Sequence, residues 1–226
     1  MFNALAIFAK APIAGQVKTR LCPPLTCEEA AALYRCFLVD TVSRAAMLAD
    51  VHIFLAITPP QSAPLFRALL QVPVHYVPQR GDSLGERETN LFTDLLQGRY
   101  ARVVMIGSDI PTLPLAHLHD AFAVLADPMN DVVIGSSQDG GYYLLGARQL
   151  HPTLFENITW STSTVFAETV ARARHAGLTV AQVPTWYDVD AEAELRQVAV
   201  ELTPPAHAAR APRTRALLAR LGLLSV

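Results

Sequence analysis

Leu5-Ala6-Ile7-Phe8-Ala9-Lys10-Ala11-Pro12-Ile13-Ala14-Gly15-Gln16-Val17-Lys18-Thr19-Arg20 passes from an apolar run of strand length directly into a cationic loop. The only lysines of the chain, Lys10 and Lys18, both fall in this stretch, which closes on Arg20. Gly15 makes the loop bendable and Pro12 stiffens it. Lysine is a mobile point charge for phosphates and arginine a planar fork, so the mixture suits a polyphosphate whose charge shifts during reaction. On these residues alone, a solvated basic loop is the other reading.

Outward from this stretch, strand-length apolar runs alternate with segments of helical period, the pattern of an α/β protein with a mainly parallel sheet. Strands are expected over Leu5–Phe8, Val51–Ile57, Val74–Val77, Val103–Ile106, Val132–Ile134, Tyr142–Leu145 and Leu178–Val183. Thr26 with Glu29 forms a capping box that opens a helix running to about Ala49, with Ala30, Leu33, Tyr34, Phe37, Leu38 and Val42 on one face. Further helices are expected through Leu65–Leu70, Leu84–Gln97, Leu115–Ala126 and Thr162–His175, the last stopped by Gly177, and again after Asp190. Residues 1–203 read as one nucleotide-binding domain. Residues 204–226 read as a C-terminal extension, in which Arg213–Leu224 forms a short helix whose leucine face docks on the body or on a second subunit in a homodimer.

The chain has 226 residues, a net charge of −2 and 51% hydrophobic residues. That balance argues against a nucleic-acid surface and for a small-molecule partner. Met1–Ala9 lacks the form of a signal peptide and no apolar run reaches membrane-spanning length, so a cytoplasmic protein is expected. Cys22, Cys27 and Cys36 lack a fourth thiol or nearby histidine for tetrahedral zinc and read as free buried thiols. Cys22 has a second reading, a thiol made reactive by the positive field of the loop.

Ligands of open α/β sheets settle beyond the carboxyl ends of the strands, where strand order reverses. If Leu5–Phe8 lies beside Val103–Ile106, Lys10, Lys18 and Arg20 come opposite Ser108 and Asp109. Asp109 is then a salt-bridge partner or, with a polyphosphate between, half of a magnesium or manganese site, its turn set by Pro111. Asp188 and Asp190 lie on one side of an extended segment and can converge on the same ion, while Asp190 also reads as a helix N-cap. Asp139-Gly140-Gly141-Tyr142 is either a hairpin turn or a contact for a sugar or acceptor, with Asp139 accepting from hydroxyls and Tyr142 offering a face. Ser161 is expected to cap the helix that follows. His117 and His119, two apart on a helix, point in different directions and do not share a metal. The dinucleotide fingerprint, the P-loop and the nucleophile elbow are all missing.

FAKAPIAGQVKTRL, GSDIP, DGGYYLLG, WSTSTV and DVDAEAEL together resemble a bacterial glycosyltransferase-like family within the GT-A nucleotide-diphospho-sugar transferases. The family is associated with arsenosugar biosynthesis or with radical-SAM and selenium genes, and the resemblance covers about residues 3 to 202. It implies a single GT-A domain, a Rossmann-like α/β/α sandwich. Lys18 and Arg20 would contact phosphates with Lys10 nearby, Asp109 would hold a divalent ion, and Asp190, helped by Asp188, would complete its site. Gly107-Ser108-Asp109 replaces the Asp-x-Asp of many such glycosyltransferases, and this single aspartate is similar to guanylyltransferases that activate phospholactate or the molybdenum cofactor. Asp190-Ala191-Glu192 stands where relatives have Asp-Thr-Pro. The expectations are a glycosyltransferase using a nucleotide-diphospho-sugar and a small-molecule acceptor, a nucleotidyltransferase as the second reading, and a non-catalytic nucleotide-binding module as the third.

Overall fold

The computed structural model describes residues 2–98 and 100–224. Its strands are β1 (Phe2–Lys10), β2 (Val51–Thr58), β3 (His75–Pro78), β4 (Tyr100–Gly107), β5 (Val132–Ser137), β6 (Tyr142–Ala147) and β7 (Val180–Trp186). They form one sheet in the order β3-β2-β1-β4-β6-β5-β7. All neighbours are parallel except at β6, which runs antiparallel to both β4 and β5.

The inner strands are buried on both faces, which is why they read as unbroken apolar runs. Leu5, Ile7, Leu55, Val104 and Ile106 enter one core layer, whereas Ala4, Ala6, Ala56, Val103 and Met105 enter the other. The first layer is completed by α1 (Cys27–Ala45), α2 (Ala63–Leu69) and α4 (Leu115–Val124). The second is completed by α3 (Leu84–Gln97) and α5 (Val165–His175). A third cluster joins α1 to α6 (Glu192–Leu202) and α7 (Pro212–Arg220) through Leu33, Phe37, Leu195, Val198, Leu217 and Leu218.

Strand order reverses at β1. Its sequence neighbour β2 lies on one side and β4 on the other, so the connections after β1 and β4 part and leave a crevice at their carboxyl ends. The pairing Ile7↔Ile106 and Phe8↔Gly107 sets the cationic loop level with Ser108 and Asp109.

The Thr26 capping box is formed: Glu29 N–H donates to Thr26 Oγ1 at 3.2 Å and Thr26 N–H to Glu29 Oε2 at 2.8 Å. Beyond Ala45 the chain leaves the helix instead of continuing to Ala49; Leu48 turns into the core and Asp50 adopts φ 58 before β2. Ser161 does not cap α5. It sits in an exposed turn at φ 64, and Thr162 Oγ1 accepts the Thr164 N–H at 3.4 Å before the helix begins at Val165. His117 is buried with Nδ1 3.0 Å from the Tyr143 hydroxyl, while His119 faces solvent. The three cysteines are free and half-buried instead of buried.

Candidate active site

The loop after β1 tightens into a 3-10 turn at Thr19–Leu21, and Lys18 enters it in the left-handed region at φ 49. This conformation drives the Lys18 side chain inward, where only 5% of it stays exposed. Its Nζ donates to Asp109 Oδ2 at 2.6 Å and to Asp190 Oδ1 at 2.5 Å. Burial alone would lower the Lys18 pKa, but the two carboxylates outweigh it and hold the ammonium well above its ordinary range. Arg20 is exposed and reaches Asp190 Oδ2 at 3.6 Å. Gly15, at φ 72, supplies a turn at the open tip of the loop, and Pro12 is buried beneath it.

Asp109 is fixed from below. Its carbonyl accepts the Val189 N–H at 3.0 Å, linking the GSDIP turn to the segment after β7. A Cβ at residue 107 would approach Asp109 Oδ1 to 2.6 Å, so Gly107 leaves room for the carboxylate. Ser108 is buried and lies 2.7 Å from the Tyr34 hydroxyl, which also accepts the Lys10 N–H at 3.1 Å. Tyr34 thereby ties α1 to the ends of both β1 and β4. It was legible only as part of the apolar face of α1, because its polar partners come from distant segments.

Val189 is fully buried, and Asp188 and Asp190 on either side of it turn toward Asp109. One carboxylate oxygen from each of Asp109, Asp188 and Asp190 lies within 4.8 Å of the others. Asp188 accepts from Ser137 Oγ at 2.6 Å, yet burial, with Asp109 as the next cause, pushes its pKa up to about 6. Asp190 is also desolvated, but Lys18 and then Arg20 pull its carboxyl below the ordinary range. Its N-cap reading is corrected: Ala191 occupies the cap, and its N–H donates to Glu194 Oε2 at 2.8 Å. The attraction of the buried ammonium decides where the Asp190 carboxylate points.

The crevice has two lobes that share Lys10, Tyr34 and Asp109. The smaller, about 260 Å³, holds Lys18, Arg20 and Asp190. The larger, about 380 Å³, is bounded by Phe8, Thr58, Gln79, Leu84, Ser108 and Tyr142. Glu88 of α3 closes its floor, accepting from the Tyr142 hydroxyl at 2.5 Å, and burial raises its pKa to about 7. The sequence signal for Glu88 was a carboxylate on the apolar stripe of α3, four residues after Leu84. The turn from Asp139 to Gly141 joins β5 to β6: Asp139 Oδ1 accepts the Gly141 N–H at 2.9 Å. Gly140, at φ 90, packs so closely on the Ser163 backbone that a Cβ would lie 2.1 Å from its carbonyl oxygen. Tyr142 reaches the larger lobe, whereas Asp139, Gly140 and Gly141 line neither.

The thiol of Cys22 does not gain reactivity from the loop. Desolvation, the neighbouring Cys27 and the charges of Glu28 and Glu29 raise its pKa.

A search among curated proteins finds no match. Among solved structures, a Desulfovibrio desulfuricans protein provisionally assigned as a nucleotide-diphospho-sugar transferase is 35% identical, with a TM-score of 0.89 over 98% of this chain and 96% of that one. CMP:2-keto-3-deoxy-manno-octonic acid synthetase complexed with CTP shares 15% identity at a TM-score of 0.56 over 97% of this chain and 99% of that one. 4-Diphosphocytidyl-2C-methyl-D-erythritol synthase from Anaerococcus prevotii shares 11% at a TM-score of 0.57, covering 85% and 92%. The fold is therefore the single-domain α/β architecture common to nucleotide-diphospho-sugar transferases and cytidylyltransferases. The profile described as "Uncharacterized protein conserved in bacteria (DUF2064)" matches residues 41–162, more than half of the sequence, and the chain belongs to that family.

Proposed function

We propose that this protein is a transferase acting on a nucleotide-diphospho-sugar, with a divalent cation held by Asp109 and Asp190 and supported by Asp188. The observation that carries this reading is the Lys18 ammonium lodged between the Asp109 and Asp190 carboxylates in the smaller lobe of the crevice. It marks a position where a cation is strongly favoured, and an all-carboxylate donor set suits a hard ion such as magnesium or manganese. An ion held by Asp109, Asp190 and Asp188 would supply positive charge to offset that of a departing nucleoside diphosphate.

The protein side follows from the two lobes. A nucleoside fits the larger lobe, and its phosphates extend past Lys10 into the smaller one. Lys18 moves from the carboxylates to the phosphate oxygens, and Arg20 joins from the exposed side. An acceptor approaches from the side of Tyr142, beside the turn at Asp139, Gly140 and Gly141. The resemblance to an arsenosugar or radical-SAM associated glycosyltransferase family, together with the 35% identical Desulfovibrio protein, favours sugar transfer.

Nucleotidyl transfer is the second reading, favoured by one observation: Asp109 stands alone in its turn, with Gly107 in place of a second aspartate. The same clamp would then hold a nucleoside triphosphate for attack at its α-phosphate, releasing pyrophosphate. Incubation with magnesium or manganese and a panel of nucleoside triphosphates and nucleotide sugars separates these readings. Acceptor-dependent release of nucleoside diphosphate supports glycosyl transfer and pyrophosphate release supports nucleotidyl transfer. Binding without turnover leaves a nucleotide-binding module.

Asp109→Ala is expected to abolish metal-dependent nucleotide binding while circular dichroism shows the fold intact. Binding equal to that of the parent at matched metal concentration removes Asp109 from the site.

A further inference from the structure

A groove of about 690 Å³ runs between α1, the end of α2 and α7, and shares no lining residue with either lobe of the crevice. Five arginines line it: Arg35, Arg44, Arg210, Arg213 and Arg220. The lone carboxylate there, Asp40, is already engaged, accepting the backbone N–H groups of Arg213 at 3.1 Å and Thr214 at 2.7 Å.

The arginines come from α1, from α7 and from the segment between α6 and α7. The guanidiniums of Arg220, Arg213 and Arg35 all act on the Cys36 thiol, opposing the burial and the Asp40 charge that push it up to about 11. Burial and the neighbouring Arg210 lower the pKa of Arg44, which donates to the Arg210 carbonyl at 3.3 Å. Arg210 is paired with Glu201 at 3.0 Å, but among the described residues Arg35, Arg213 and Arg220 have no ion pair. Asp40 and Glu201 offset part of this charge, while Arg35, Arg213 and Arg220 stay exposed and available to a shared anion. This concentration occurs in a chain of net charge −2, so it is not the overflow of a basic composition.

Between the arginines the lining is mixed, with Ser43 and Gln71 beside apolar side chains. Val39, Met47, Leu69 and Leu217 contribute, and Met47 is 70% exposed. The volume falls within the range of small-molecule sites, and planar guanidinium forks match phosphate oxygens in pairs.

We propose that this groove binds a phosphomonoester carrying an apolar body, its phosphate held by Arg35, Arg213 and Arg220 and its body laid against Val39, Met47 and Leu217. The shared chemistry covers a soluble organic phosphate and the headgroup end of an anionic lipid.

The test uses the full chain at constant ionic strength without divalent ions. Phenyl phosphate is titrated by calorimetry into the parent, into the groove variant Arg213→Gln/Arg220→Gln and into Arg174→Gln. The groove variant should bind at least about tenfold more weakly than the parent, as loss of charge-assisted hydrogen bonds at one site requires, while Arg174→Gln, an exposed arginine outside both sites, should stay within about twofold. Inorganic phosphate should bind more weakly than phenyl phosphate. Arg35→Gln gives an independent check, and circular dichroism confirms the fold of each variant. Peptide-mapped maleimide labelling locates the ligand: phenyl phosphate should slow modification of Cys36 and leave Cys22 and Cys27 unchanged. Co-sedimentation with phosphatidylcholine vesicles containing phosphatidic acid, competed by phenyl phosphate and lost in the groove variant, identifies a lipid source; phenyl phosphate binding without co-sedimentation identifies a soluble one. Equal affinity in the parent and groove variants, an equal loss in Arg174→Gln, or no binding to either probe overturns the proposal.

Discussion

At the scale of single residues, the chemistry is governed by burial of charge. Lys18 and its two carboxylates form a partly desolvated triad in which removing the cation leaves two acids facing each other. Lys18→Ala is therefore expected to weaken binding of nucleoside di- and triphosphates at least tenfold while changing nucleoside binding little, measured by calorimetry with manganese. Equal losses for phosphorylated and unphosphorylated ligands would contradict a phosphate role. Its thermal stability should also fall without divalent ions, and manganese should restore part of the loss, because the ion can replace the missing positive charge. Glu88 provides a pH-dependent counterpart. Its folded pKa of about 7 lies above the ordinary 4.5, so the folded state holds the proton longer than the unfolded chain and the contribution of Glu88 to stability declines as pH rises between those values. Glu88→Gln, which still accepts from Tyr142, should match the parent near pH 4 and exceed it by about 2 kcal/mol at pH 8 in chemical denaturation. A pH-independent difference would mean that folding does not shift the Glu88 pKa.

At the scale of elements, helix starts follow local side-chain chemistry and helix positions follow burial. The Thr26 box was legible because its partners lie three residues apart, and Ser83 with Glu86 forms a second box at the head of α3. Ser161 and Asp190 show the limit of that logic. Both precede helices and both are capping residue types, but a positive-φ turn takes Ser161 out of line and Lys18 takes the Asp190 carboxylate. The converse is α7, whose first turn is satisfied from 173 residues away by Asp40. No spacing rule in the sequence could connect them. Asp40→Ala should cost about 1–2 kcal/mol by denaturation, and Asp40→Asn less, since an amide oxygen still accepts from the two backbone donors. If both substitutions cost the same, the hydrogen bonds to α7 carry little of the stability.

At the scale of the whole molecule, α7 is packed into the third apolar cluster instead of lying against its surface. Leu218 is fully buried and Leu217 is 6% exposed, beside Leu33 and Phe37. A buried leucine contributes about 1.5–3 kcal/mol, so losing this pair alone removes a large part of a typical stability of about 5–15 kcal/mol. A chain ending at Thr203 is therefore expected to unfold at markedly lower temperature or to aggregate, whereas the full chain unfolds in one calorimetric transition. Unchanged thermal unfolding after the truncation would mark residues 204–226 as an independent extension.

The alternation of apolar runs with amphipathic periods determined the α/β class, and the clustering of both lysines after the first run pointed to the crevice, because both signals are local and periodic. Register, sheet order and the meeting of distant segments were decided only in three dimensions. Lys18 and Asp190 lie 172 residues apart, and Glu88 and Tyr142 lie 54 apart. Their pairing arises because strand reversal at β1 brings separate loops to one edge of the sheet, where low solvent access makes each buried charge or hydroxyl seek a partner.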